Sequence, residues 1–415
     1  MSERYPGGLI RKTPPTVTGP TDGEGGSAPG IWTLEEVAYY EKEGSWPKRT
    51  LPRELYAWGD NSFGQLGINT GNSDDRSSPT QVGSLTDWNT ISGGYEFAVA
   101  VKKNGQLWSW GENDYGQLAL GDTVDRSSPV QIGALTNWSQ ASGAREQCLA
   151  IKTDGTLWFW GRNSWGQKGD STVTGDASSP VQVGSDTNWA SVTAFSNNVI
   201  AVKTNGELYS WGLNSSGGLG HNDTVHRSSP TQIGALTTWS KATIGNQYCQ
   251  AIKTDGSLWA WGFQQFHGNV GNSSRVNVSS PIQIGSLTNW SSVDNSRFAV
   301  AIKTDGTMWT WGQGGDGQLG HSDNVYRSSP TQVGSLTTWL QASAGYYTCF
   351  AIKTDKTAWS WGFNGNGQLG TNESSATRAR VNSPIQIGSG TDWDSIEGSQ
   401  GGSTTLAAYG VTKGS

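Results

Sequence analysis

Residues Gly334 to Gly370 read "GSLTTWLQASAGYYTCFAIKTDKTAWSWGFNGNGQLG". Within it, "CFAIK" and "TAWSWG" are two apolar runs on either side of a short polar turn, the pattern of a β-hairpin. A close copy, "GSLTNWSSVDNSRFAVAIKTDGTMWTWGQGGDGQLG", occupies residues 285–320, and more lie upstream. Trp-Gly recurs at Trp58, Trp110, Trp160, Trp211, Trp261, Trp311 and Trp361. Ser-Pro recurs at Ser78, Ser128, Ser179, Ser229, Ser280, Ser329 and Ser383. A lone Trp follows each of these serines by ten residues, from Trp88 to Trp393. Seven in-phase copies of about 50 residues thus run from Leu55 to the C-terminus, a period that marks one repeat architecture rather than several domains.

Each copy reads as strands. "LAIKTDGTLWFWG" (Leu149 to Gly161) flanks Asp-Gly, whose residues accept the positive φ that a tight hairpin turn requires. Asn104-Gly105 and Asn205-Gly206 serve the same purpose, and "SSPVQIG" and "NWSQAS" supply two further short strands. The runs are apolar on both faces, so the sheets should be covered on both sides. Four strands per copy, seven times, predict an all-β, seven-bladed β-propeller. Only 33% of residues are apolar, but 22 are Trp, and aromatic side chains bury large areas. Cys148, Cys249 and Cys349 occupy one equivalent site in alternate copies, which suits a small buried strand residue rather than a disulfide or a metal ligand. The ring should close by antiparallel pairing of Thr405 to Tyr409 with Leu55 to Trp58.

"WGxNxxGQLG", "SSPxQIG" and "AIKTDG" resemble the repeats of the regulator of chromosome condensation family over about six-sevenths of the chain. The resemblance implies a seven-bladed propeller. In eukaryotic members it also implies nucleotide exchange on a small GTPase through one face and chromatin contact through another. No copy here carries a wedge-like insertion, and the net charge of −6 opposes chromatin, so neither activity is carried over.

The first 50 residues differ in kind. "GGLIRKTPPTVTGPTDGEGGSAPG" (Gly7 to Gly30) has almost nothing to bury and reads as an extended arm. "IWTLEEVAYYEKEG" then reads as a short helix, about residues 33–43, with Thr33 and Glu36 as a capping box. The expected organisation is a docking arm over residues 1–50 and a propeller over 51–415. The segment resembles N-terminal stretches of virion structural proteins from marine tailed bacteriophages. That resemblance implies docking to other virion proteins, and the arm residues offering apolar contact are Leu9, Ile10, Trp32, Leu34, Val37 and Trp46.

Catalytic patterns are lacking. "GEGGSAPG" has no Lys-Ser/Thr and no preceding strand, so it is not a phosphate loop, and no Gly-x-Ser-x-Gly elbow is present. His221 and His321 sit at equivalent loop positions and read as loop decoration. Asp122, Asp223 and Asp323 each precede an arginine by four residues and should form loop-pinning ion pairs. No cofactor, metal or nucleic-acid partner is expected. No apolar run approaches the roughly 18 residues needed to span a bilayer, and the first residues contain no signal-peptide core.

Length varies mainly between Trp-Gly and Ser-Pro, where the serine follows the glycine by 17 to 21 residues. From lone Trp to the next Trp-Gly the spacing is 22 residues in five cases and 21 in one. Variable loops on a rigid scaffold are where binding concentrates. Their candidate recognition residues are Phe63, Tyr115, Trp165, Phe263, Phe266, Arg378 and Arg380. The aromatics four residues after each Trp-Gly glycine either pack under their own loop or form an apolar strip over the first copies.

The expected function is a non-enzymatic virion structural protein of a tailed phage, in head or tail. It would assemble in the host cytoplasm, with the propeller displayed for adhesion to a host surface glycan or protein, or for decoration. The alternative is a carbohydrate- or protein-binding propeller unrelated to virions. One turn breaks the pattern: Lys356 stands where five other copies place Gly, and should hold positive φ. Lys102, Lys152, Lys203, Lys253, Lys303 and Lys353 should ring the same face.

Overall fold

The computed structural model describes residues 53–70, 74–264, 268–373, 379–399 and 407–413. Strand β1 (Arg53–Gly59) and β2 (Arg76–Gln81) are followed by β3 (Trp88–Gly93), β4 (Phe97–Lys102), β5 (Leu107–Gly111) and β6 (Arg126–Gln131). The last four form one antiparallel sheet in the order β3-β4-β5-β6. The quartet recurs from inner strands at Trp138–Gly143, Trp189–Phe195, Trp239–Ile244, Trp290–Asn295 and Trp339–Ala344. The chain ends with β27 (Trp393–Gly398) and β28 (Ala407–Lys413). These two join β1 and β2 in the order β2-β1-β28-β27, giving seven four-stranded sheets among the described residues. A sheet therefore starts at the lone Trp, so the sequence repeat beginning at Trp-Gly straddles two sheets.

The lone-Trp strands contact one another in succession, and β27 returns to β3, so they ring a central channel of about 570 Å³. Two sets of hydrogen bonds stitch sheet to sheet. In the outer set the indole of each Trp-Gly tryptophan donates to a backbone carbonyl of the preceding sheet's loop, as Trp110 does to Gln65 (2.9 Å) and Trp160 to Gln117 (2.8 Å). In the inner set, the fourth residue after each lone Trp reaches across. Gly143 N donates to Ser92 Oγ, Ala194 N to Ser142 Oγ and Gly398 N to Ser343 Oγ, each at 3.1 Å. The tryptophans themselves are the largest fully buried side chains, and Cys148, Cys249 and Cys349 lie beside them in the core at 0% exposure.

Two expectations need correction. The expected fold class included a helix. No helix occurs among the described residues, whose fold is all-β; residues 33–43, with the rest of the arm and Leu9, Ile10, Trp32, Leu34, Val37 and Trp46, lie outside them. The closing strand is antiparallel to β1, but Leu55 pairs with Val411 and Trp58 with Ala408, displaced from the expected partners. The reason is loop length: Trp393 pairs with Thr412, 19 residues on, whereas Trp88 pairs with Lys102, 14 residues on. The lysines of the equivalent column pack against aromatic rings. Lys152 Nζ lies 3.7 Å from the Trp158 ring centroid and 4.9 Å from that of Trp138, and Lys253, Lys303 and Lys353 repeat this arrangement. An ammonium over a tryptophan face is held by the ring quadrupole, and its stem covers apolar surface.

Candidate recognition face

Antiparallel order puts the loops on two ends of the ring. One end carries the Asn/Asp-Gly turns and the Leu-Thr connections into each lone Trp. The other carries the turns from inner to second strand, such as 94–96, together with the variable loops, such as 112–125. The second end, the mouth face, is where the copies diverge.

Seven residues after each lone Trp the chain places Tyr95, Arg145, Ser196, Asn246, Arg297, Tyr346 and Gln400. In this column no residue is shared by more than two copies, whereas the second strand ends as Ala-Val-Lys or Ala-Ile-Lys in six of them. Five of these residues, with Phe195, line a cavity of about 140 Å³. They are Tyr95, Arg145, Ser196, Asn246 and Tyr346, drawn from five different sheets. The column lies three residues beyond the inner stitches, so it borders the channel at its mouth-face end.

The sole one-residue deletion in the lone-Trp to Trp-Gly spacing falls in the same turn, at Arg297. Elsewhere the turn closes by bonds such as Gly94 N to Phe97 O; here Ser296 N donates to Phe298 O at 3.0 Å. Arg297 Nη1 donates to Tyr347 Oη at 2.9 Å, and Nη2 donates to Tyr346 Oη. Its guanidinium carbon lies 4.2 Å from the Tyr346 ring centroid. Across the mouth, the Arg145 guanidinium lies 5.5 Å from the Tyr95 ring. Burial is the main cause raising the Tyr95 and Tyr347 hydroxyl pKa values.

The variable loops flank this cluster. Tyr115 lies under Arg162 (4.6 Å), Trp165 packs edge-on against His226 (5.2 Å), Asp316 pairs with Arg380 (2.9 Å) and Asn366 donates to Asp60 (2.9 Å). These four fourth-position residues thus reach toward the neighbouring sheet, which neither sequence alternative anticipated. Trp165 remains 40% exposed, while Phe63, Tyr115 and Phe263 are half-buried. Arg380 is exposed, and Phe266 and Arg378 lie outside the described residues.

Carboxylates gather on the first two sheets of the mouth face. Burial, then Glu96, Asp114 and Glu146, push the Glu112 carboxyl up to about 8. Glu146 is engaged by Arg162 and, at 3.5 Å, by Arg145. Inside the channel, Asp294 and Glu397 replace the hydroxyls of the inner stitches. Asp294 accepts from Ala344 N and Asn295 N at 2.9 Å, and burial raises both carboxyl pKa values.

His221 and His321 are not decoration. Each Nε2 contacts a strand hydroxyl, Ser210 at 3.0 Å and Thr310 at 2.9 Å, and burial lowers both pKa values to about 4. The Asp122–Arg126, Asp223–Arg227 and Asp323–Arg327 pairs form at 2.7–2.8 Å. Among the described residues no cluster of three or more His, Cys, Asp or Glu could hold a metal ion, and no helix is long and apolar enough to cross a membrane.

A closed ring of repeated antiparallel sheets with a divergent loop face defines a repeat β-propeller. The regulator of chromosome condensation (RCC1) repeat matches residues 54–101, 104–151, 205–252 and 305–352, and a second model of the same repeat matches 88–117 and 339–368. The chain belongs to this repeat family. It is 41% identical over 76 residues to human E3 ubiquitin-protein ligase HERC2, and 41% identical over 71 residues to the ultraviolet-B receptor UVR8 of Arabidopsis thaliana. Each match covers 17% of this chain, and the matched stretches span 2% and 16% of those relatives. Among solved structures, human WBSCR16 superposes with TM-score 0.75 at 17% identity, covering 87% of this chain and 99% of that one. Prp20p of Saccharomyces cerevisiae gives 0.75 at 18%, covering 87% and 92%. At such identity these two likenesses show the fold alone.

Proposed function

We propose that the chain is a non-enzymatic, protein-binding propeller that engages its partner through the mouth face. The observation that carries this is the divergent column from Tyr95 to Tyr346: an otherwise repetitive chain varies its residues, and deletes one, where five sheets converge on one cavity. Prp20p, which shares this fold, binds Gsp1p and histones, which supports protein docking as the use of this scaffold. A photo-crosslinking side chain placed at Trp165 or Asn246 should trap one discrete partner, while the same side chain at Leu287, on the opposite end, should not. Equal trapping from both ends would sink the proposal.

Display on a virion is a second, finer proposal, resting only on the resemblance of residues 1–50 to phage structural proteins. Removing residues 1–48 should abolish incorporation into particles without altering the melting temperature of the ring. Normal incorporation of the shortened chain would reject it.

A further inference from the structure

The geometry points to the mouth cavity as a socket for one acidic side chain or terminal carboxylate of a docking peptide, with Arg145 as the group that reads it. This deepens the proposed protein-binding role and rests on it.

Size comes first. At about 140 Å³ the cavity falls well below the roughly 300 Å³ of ordinary small-molecule sites, so it suits a single side chain rather than a nucleotide. Charge comes second. Arg145 is cavity-lining and its side chain is 45% exposed; Glu146, 3.5 Å from it, is also engaged by Arg162. Arg297 spends both of its terminal nitrogens on neutral phenol oxygens, and its buried Nε has no partner. Both guanidiniums are braced on tyrosine rings, Arg145 on Tyr95 and Arg297 on Tyr346. A guanidinium fork matches a carboxylate in a bidentate way, and a partly desolvated one gains most from it.

The rim also sets direction. Glu96, Glu112, Asp114 and Glu146 crowd the first two sheets. An acidic peptide is repelled there and must leave the socket over Ser196 and Asn246, which are neutral and polar.

The test uses the full chain and an N-terminally labelled hexaglutamate peptide, with hexaglutamine as its uncharged counterpart, read by fluorescence anisotropy. Hexaglutamate should bind about ten-fold more tightly than hexaglutamine, and Arg145→Gln should erase that difference. Arg327→Gln, on an outer loop away from the cavity, should leave it intact. Arg297→Gln should also weaken binding, but Arg297 braces the two tyrosines, so its melting temperature is measured alongside and Arg145→Gln decides. Equal binding of the two peptides, or an undiminished preference in Arg145→Gln, overturns the socket. So does displacement of hexaglutamate by inorganic phosphate at equal concentration, which would mark a simple anion site. Trapping of a partner at Trp165 and Asn246 is independent of this result, so the socket can fail while the docking face stands.

Discussion

The indole Nε1 of Trp58 donates to the carbonyl oxygen of Gln368 at 3.0 Å, across 310 positions of sequence. The same bond joins Trp110 to Gln65 and Trp361 to Gln318, so the contact that closes the ring is chemically the one that joins its internal sheets. Trp58→Phe keeps most of the buried area but leaves that carbonyl without its donor. It should cost about 1–2 kcal/mol, and Trp211→Phe should cost about the same. Equal losses in chemical denaturation would show that closure is one more ordinary junction; a far smaller loss at Trp58 would show the ring open there.

Gly370 offers a second probe of the same junction. It holds φ of +69°, and a Cβ there would lie 2.7 Å from Trp58 Nε1. Gly370→Ala should therefore destabilise by more than Trp58→Phe does. Deleting residues 407–415 removes β28 from between β1 and β27 and should lower the melting temperature by about 10 °C or more.

Lys356 holds φ of +64°, the only non-glycine in the six comparable turns. Its amide still donates to Lys353 O at 2.9 Å, as Gly306 does to Lys303. Its Nζ is 3.8 Å from Asp394, a carboxylate that Arg53 already engages, so this long pair offsets little. In the loop it faces, Gly390 stands where four other copies with an exposed side chain have Leu135, Leu236, Leu287 and Leu336. Lys356→Gly should stabilise by about 0.5–1 kcal/mol and leave partner binding unchanged. A loss of stability would mean that the lysine is held by more than this turn.

Two sets of buried groups titrate in opposite senses. Glu112 is raised to about 8, and Asp294 and Glu397 are also raised, so the folded ring binds protons that the unfolded chain releases. Their contribution is fully present below the ordinary carboxylate range and is lost as pH rises through the folded values. His221 and His321, lowered to about 4, contribute stability that is present above about 6.5 and lost as pH falls toward 4. The melting temperature should therefore rise from pH 8 to about 6.5 and level off or fall below that. Glu112→Gln should flatten the upper limb, and His221→Asn with His321→Asn should flatten the lower one. A profile unchanged in these variants would contradict the assignment.

The repeats made the strands, their turns and the core tryptophans legible, because Asp-Gly, Trp-Gly and alternating apolar runs are local signals. Even the positive φ at Lys356 followed from its column. The lysine sandwiches were not legible, since Lys152 meets Trp138 and Trp158 only when three strands pair. His221 was misread for the same reason: its partner, Ser210, lies on the strand before it. The mouth column left a trace that goes unnoticed in a search for conserved motifs. There no residue recurs in more than two copies, and there the 21-residue spacing loses its residue.

Hydrogen–deuterium exchange on the partner-bound protein tests the docking face most directly. Protection should concentrate at residues 94–96, 144–147, 195–198, 245–247, 296–298 and 345–347 and in the loop 112–125. The turns at 103–106 and 304–307 on the opposite end should exchange as they do in the free protein. Protection centred on those turns and on Leu135, Leu287 and Leu336 would place the partner on the wrong end of the ring and contradict the account.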